Sequence, residues 1–216
     1  MYLLGIITSS VVGYFVSGKK EEYVRKGRCF IKYMNTVSSV FEIPNGIEEI
    51  GERAFKDCVN LQKILIPGIY GSWDLGALVV RKIGKKAFSG CKNLQNLHLG
   101  RYVEVCENAF EECANLEKVY LGEGVKVKRN AFLNCINLKK IFVGHSVEIA
   151  ELSFHNCKNL KIVEFESSPD KIEDKAFFCC ENVILVSSFE NKYIRQYCAD
   201  NNLEYKVNAK EYFKDE

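Results

Sequence analysis

Ten cysteines, three histidines and 28 acidic side chains are the groups from which this sequence could build chemistry. Six of the cysteines keep a rhythm. Cys58, Cys91, Cys113, Cys135, Cys157 and Cys180 are separated by 33, 22, 22, 22 and 23 residues. Recurring cysteines can pair as disulfides or converge on a metal, but this rhythm suits neither. Equivalent side chains of successive coils point the same way and lie about one strand spacing apart, ~4.8 Å. A disulfide prefers Cβ atoms at about 3.8 Å. Zinc needs thiols that converge on a tetrahedron, and no C-x-x-C is present. The six are therefore expected as a ladder of free, buried thiols that behave as small hydrophobes. Cys29, Cys106, Cys179 and Cys198 fall off the ladder, and the vicinal pair Cys179-Cys180 reads as one thiol in and one out.

His98, His145 and His155 occupy different places in their coils and are not expected to converge. There is no G-x-S-x-G, no glycine-rich phosphate loop and no H-E-x-x-H. The Asp and Glu residues are scattered. These features predict no enzyme, no metal, no cofactor and no small-molecule substrate. The charge balance, +2 from 30 basic and 28 acidic residues, offers no basic stripe for nucleic acid.

The elements that carry these residues follow from the same rhythm. A phenylalanine stands three residues before each ladder cysteine: Phe55, Phe88, Phe110, Phe132, Phe154 and Phe177. The shared skeleton is A-F-x-x-C-x-N-L-x-x-V-x-L, best seen from Ala109 to Leu121. A fixed period near 22 marks a solenoid in which stacked units build one core that no unit could build alone. The alternating end of the skeleton predicts one short strand per coil, paired in parallel with its neighbours. A second apolar pair before each Ala-Phe, such as Val103 and Val105, predicts a second short extended segment. The A-F-x-x-C run is too short for a helix and is read as a single helical or 3₁₀ turn that plugs Phe into the core. Asn60, Asn93, Asn115, Asn137, Asn159 and Asn182, just before each strand, are read as a buried amide ladder at the bend.

These residues resemble the leucine-rich repeats of the BspA-like, or Treponema pallidum, type. The stretch from Ile43-Pro44 to Ile66-Pro67 follows that unit almost position for position, and the resemblance covers about residues 41 to 206. It implies a mainly β, right-handed leucine-rich-repeat solenoid with short helical turns, a parallel sheet on one face, and N- and C-terminal caps. It also implies association with cell-surface adhesion and partner contact.

Residues 1–36 are assigned to an N-terminal cap, with a hairpin entering the first coil. The apolar run 2–17 is open to two readings, a cap on the exposed sheet edge or a targeting or membrane segment. The array spans 37–188 with an insertion at 68–82, and 189–216 forms a capping helix and a polar tail. The helix is marked by Tyr193, Ile194, Tyr197 and Cys198 at helical spacing. The thiol ladder favours a cytoplasmic setting, and the resemblance favours a cell surface or secreted one.

The candidate site is the outward face of the main strands. Leu65, His98, Tyr120 and Phe142 fall in one row beside Lys63, Lys118 and Lys140. Outward aromatics flanked by charge have the composition of a protein-binding patch. A weaker candidate is the insertion, through Tyr70 and Trp73. The expected function is a non-catalytic interaction module that binds a protein partner through this face. The alternative is a structural or self-associating scaffold without a dedicated ligand, in which the aromatics serve cross-strand pairing or lie under a terminal segment.

Overall fold

The computed structural model describes residues 23–33, 38–66 and 80–207. The expectations for residues 2–17, for most of the insertion, Tyr70 and Trp73 included, and for the tail after Val207 lie outside these residues. The described chain enters through a hairpin, β1 (Tyr23–Lys26) and β2 (Cys29–Tyr33). Longer and shorter strands then alternate. They are β3 (Val40–Glu42), β4 (Glu49–Ile50), β5 (Lys63–Leu65), β6 (Lys82–Ile83), β7 (Asn96–Leu99), β8 (Glu104–Val105) and β9 (Lys118–Leu121). The series continues with β10 (Lys126–Val127), β11 (Lys140–Val143), β12 (Glu148–Ile149), β13 (Ile162–Phe165), β14 (Lys171–Ile172) and β15 (Ile184–Ser187). Helix α1 (Lys192–Asp200) and β16 (Glu204–Val207) follow.

The strands form two eight-stranded sheets on opposite walls of the coil. One runs β1-β2-β4-β6-β8-β10-β12-β14, the other β16-β15-β13-β11-β9-β7-β5-β3. Every pair is parallel except the hairpin, where Tyr23 faces Tyr33. Register follows the repeat: Lys118, Val119, Tyr120 and Leu121 pair with Lys140, Ile141, Phe142 and Val143. The parallel-stranded solenoid expected from the period is the observed architecture.

The core is a spine of rings. Phe30, Phe55, Phe88, Phe110, Phe132, Phe154 and Phe177 stack with centroids 4.8 to 5.6 Å apart and planes within 13° of parallel. Burying each ring contributes about 1.5–3 kcal/mol of transfer free energy. Phe30 of the hairpin extends the spine one ring beyond the repeats, and Tyr197 of α1 meets Phe177 edge-on at 6.4 Å. The asparagine Asn191 caps α1 by accepting from the Ile194 amide.

The A-F-x-x-C run differs from the single helical or 3₁₀ turn expected. In the coil of Phe110, every second amide closes a local turn: Ala109 donates to Cys106 O, Glu111 to Asn108 O, and Cys113 to Phe110 O. The amides between them reach the next coil, Phe110 to Ala131 O at 2.7 Å and Glu112 to Leu133 O at 2.8 Å. Asn108 and Glu112 achieve this with φ of 57° and 59°. Two left-handed residues four apart break any helical run and free alternate amides for the neighbouring coil. The same pairs recur at Asn130/Asn134 and Leu152/Asn156. Away from Asn and Gly such a backbone costs about 1–2 kcal/mol, which the inter-coil bonds offset.

Candidate partner-binding face

The ladder cysteines come first, because they had the strongest claim to chemistry. All ten are free. From Cys91 onward each ladder S–H donates to the phenylalanine carbonyl one coil back: Cys91 to Phe55 O at 3.1 Å, Cys113 to Phe88 O at 3.3 Å, Cys135 to Phe110 O at 3.2 Å, Cys157 to Phe132 O at 3.3 Å and Cys180 to Phe154 O at 3.1 Å. The thiols are thus small hydrophobes that also tie coils together through weak hydrogen bonds. The regular offset of 25 or 26 residues from each Phe to the Cys of the following coil, 36 across the insertion, was the available sequence signal. Burial pushes Cys58 up to about 11 and Cys135 up to about 12, and raises Cys113 and Cys157 well above their ordinary value. They are held as inert thiols rather than activated.

The histidines lie apart. His98 is on β7, His145 has its Nε2 3.4 Å from Glu166, and His155 has its ring 5.4 Å from that of Phe178. Among the described residues no three His, Cys, Asp or Glu side chains come together in a metal-binding group. Among the same residues no helix is long and apolar enough to cross a membrane. The asparagine ladder needs correction. Asn115 Nδ2 donates to Asn93 Oδ1 at 2.9 Å and Asn159 Nδ2 to Ile136 O at 2.8 Å, so the ladder exists, but Asn93, Asn115 and Asn159 are exposed rather than buried. The bend carries them on its outside, where their side chains stack like rungs in water.

The two outward sheet faces differ in kind. Across the short strands the outward residues read Glu49, Lys82, Glu104, Lys126, Glu148 and Lys171, with charge alternating strand by strand in register. Lys82 lies 3.1 Å from Glu49, and Lys126 2.6 Å from Glu148. This face neutralises itself, each exposed pair contributing about 0–1 kcal/mol. Aligning the sequence on its period would have revealed the alternation.

Across the long strands the face is aromatic. His98, Tyr120 and Phe142 pair in register on β7, β9 and β11. The rings of His98 and Tyr120 stack at 4.0 Å, and those of Tyr120 and Phe142 at 4.4 Å, with planes within 8° of parallel. A parallel ladder enforces this, since it holds equivalent side chains about 4.8 Å apart, close to the stacking distance. All three rings are half-buried. Burial, and secondarily the Lys63 ammonium, hold the His98 pKa below its ordinary value.

Leu65 and the lysines are less uniform. Leu65 pairs with Glu42 on β3, while β5 meets β7 only at Lys63 and Asn96, so Leu65 is not paired in register with the ring row. Lys63 is exposed and Lys118 half-buried in the flanking row. Lys140 is engaged on its own sheet. Its Nζ lies 4.3 Å from the centre of the Phe142 ring and 3.0 Å from Glu164 Oε2. That carboxylate oxygen is sealed from solvent and makes no directed hydrogen bond, so the contact is an ion pair. The sequence placed Lys140 beside the ring row as a flanking cation and gave no link to Glu164. The register partner one strand over, Phe142↔Glu164, was the signal.

Comparison with known proteins agrees with this architecture. The family description "BspA type Leucine rich repeat region" matches in six copies over residues 28–74, 77–184 and 125–206. Among solved structures, the leucine-rich repeat protein of T. pallidum superposes with a TM-score of 0.67 at 20% identity, covering 88% of this chain and 97% of that one. The pneumococcal vaccine antigen PcpA gives 0.62 at 14% identity over 88% of this chain and 49% of that one. A leucine-rich cell surface protein of Faecalibacterium prausnitzii gives 0.55 at 23% identity, over 74% and 41%. At these identities the likeness is one of fold, and this chain spans less than half of the latter two. No curated protein matches the sequence. Six repeat copies, spread over most of the chain, place it in the family: the chain belongs to the BspA-type leucine-rich repeat proteins.

Proposed function

We propose that this chain is a non-catalytic interaction module that takes a protein partner on the outward face of its long-strand sheet. The observation that carries the reading is the His98–Tyr120–Phe142 stack, held half-exposed on a rigid ladder. Pre-ordered rings lose little side-chain entropy on binding, which is why aromatic anchors dominate interface energetics. Lys63 and Lys118 give the rim a positive edge that favours an acidic contour on the partner. The self-neutralised face opposite offers neither feature. Leucine-rich repeat proteins commonly mediate protein contacts, and one structurally similar protein is described as a cell surface protein. Fold alone does not assign a partner; the aromatic face does the recognising.

The test is partner capture from lysate and from cell-surface extract, with wild type and the double variant Tyr120→Asp, Phe142→Asp compared after matching circular dichroism. A specific partner retained by wild type and lost by the variant supports the reading. Equal capture by both moves the site to the Tyr70 and Trp73 insertion or to an end of the solenoid. Capture by neither favours a scaffold without a dedicated ligand.

A further inference from the structure

The short-strand face carries a pattern that its internal ion pairs leave in place. Its outward row reads Glu49, Lys82, Glu104, Lys126, Glu148 and Lys171, one residue per strand and in register. These side chains stay open from one end of the row to the other, each retaining between 38% and 60% of its accessibility. Lys82 leans on Glu49, Lys126 on Glu148 and Lys171 on Glu173, while Glu104 lies 3.8 Å from Lys128. Ion pairs this exposed are weakly held and leave their head groups able to exchange partners.

An alternating row of even length has a property beyond neutrality. Read backwards, it shows the opposite sign at every place. Consider two copies facing each other across a two-fold axis that runs parallel to the strands and passes between β8 and β10. Glu104 then lies over Lys126 of the second copy, Lys82 over Glu148 and Glu49 over Lys171, and symmetry makes each contact twice. Both rows advance by the same ~4.8 Å per strand, so the charges stay in step along their length. A protein of another fold would have to reproduce that spacing, whereas a second copy already has it. The ends of the row are apolar. Ile31, two residues past the Glu49 partner Cys29, is 40% exposed, and Tyr193, whose hydroxyl accepts from the Ile172 amide on β14, is 42% exposed. The same reversal brings the Ile31 end of one copy to the Tyr193 end of the other.

From this self-complementarity we infer that the short-strand face is a self-association surface, and that its occupant is a second copy of this chain packed antiparallel and face to face about an axis between Glu104 and Lys126. Charge complementarity sets register and orientation more than it sets affinity. The dimer is therefore weak and sensitive to salt. Because the two sheets line opposite walls of the coil, the pairing leaves the His98–Tyr120–Phe142 face of each copy turned outward. One dimer thus presents that face twice, and a surface with repeated partners would be held by two contacts instead of one. The dimer stands on the charged row alone and can fail, or hold, independently of the ring face.

The test is sedimentation velocity on the full chain in ~0.1 M and ~1 M salt, between which the screening length falls from about 10 to about 3 Å. A dimer at low salt that dissociates at high salt is expected, and a monomer in both overturns the inference. Two single variants then check the register. Glu104→Lys sets lysine over lysine twice at the axis, and Lys126→Glu sets glutamate over glutamate twice. Each alone is expected to be monomeric at low salt with the circular dichroism spectrum of wild type. Mixed in equal amounts they are expected to dimerise again, because both lysines of one variant then meet glutamates of the other. A variant that dimerises alone, or a mixture that stays monomeric, overturns the inference. If either folds poorly, Lys82→Glu and Glu148→Lys make the same test one strand further out. The Tyr120→Asp, Phe142→Asp variant is expected to dimerise as wild type does, and loss of its dimer would move self-association to the ring face and refute the assignment.

Discussion

Raising the pH from 8 to 10 should destabilise this protein far more than its charge balance suggests, and the thiol ladder is the reason. Cys91, Cys113, Cys135 and Cys157 are fully buried, and burial raises the pKa of each above the ordinary 9.0, to about 12 for Cys135. A group whose folded pKa is raised stabilises the fold fully below its unfolded pKa and loses that contribution as pH climbs toward the folded value. Here the window opens near pH 9, where unfolded thiols ionise and folded ones do not. Between pH 8 and 10 each thiol should cost about 1.4 kcal/mol, and the four together about 5–6 kcal/mol. That is comparable to the 5–15 kcal/mol total typical of a folded domain. The assay is urea unfolding at pH 8, 9 and 10 under a phosphine reductant, followed by circular dichroism. Cys135→Ala is the control. The Phe110 carbonyl it leaves still accepts from the Cys113 amide at 3.3 Å, so no acceptor is orphaned. At pH 8 the variant should lose about 1 kcal/mol from the small cavity. From pH 8 to 10 it should lose about 1.4 kcal/mol less than wild type. A wild type that loses under about 1 kcal/mol over this range, or a control with an unchanged slope, would refute the argument that burial keeps these thiols protonated.

Three further outcomes can be checked on the same variants platform. Phe110→Ala removes a fully buried ring stacked at 5.0 and 5.1 Å between Phe88 and Phe132, and should cost about 3–5 kcal/mol by chemical denaturation. Ser153 stands where the other coils place alanine, and its buried hydroxyl has no hydrogen-bond partner. Ser153→Ala should therefore stabilise by about 1–2 kcal/mol, and a loss of stability would show the hydroxyl is satisfied. His98 has a depressed pKa, so its contribution is complete above the unfolded value of 6.5 and declines as pH falls below it; His98→Gln should flatten the acid side of the stability profile, and an unchanged profile would count against a desolvated imidazole.

Much of this molecule was legible because a parallel, in-register solenoid places residue i over residue i+22. Any property written at that period becomes a row in space. The Phe spine, the free thiols and the grouping of His98, Tyr120 and Phe142 all follow from counting and from strand alternation. What the period does not encode is how backbone hydrogen bonds divide within a coil. The turn run was read as one helical turn because local spacing alone is ambiguous. The alternation of local and inter-coil amides, with Asn108 and Glu112 left-handed, exists only once a neighbouring coil is there to accept.

Non-repeating pieces were the other gap. Phe30 joins the spine only because the hairpin strand β2 pairs in parallel with β4. Leu65 leaves the ring row because β5 pairs with β7 only at Lys63, although its repeat position is equivalent. Lys140 looked like a flanking cation and is instead shared between a ring and Glu164, a choice made by side-chain rotamers and desolvation. By itself, then, the sequence determined the architecture and which side chains share a face, since both are consequences of periodicity. The tertiary structure alone decided which members of a row are buried, paired or exposed, because that depends on capping and edge segments that follow no period.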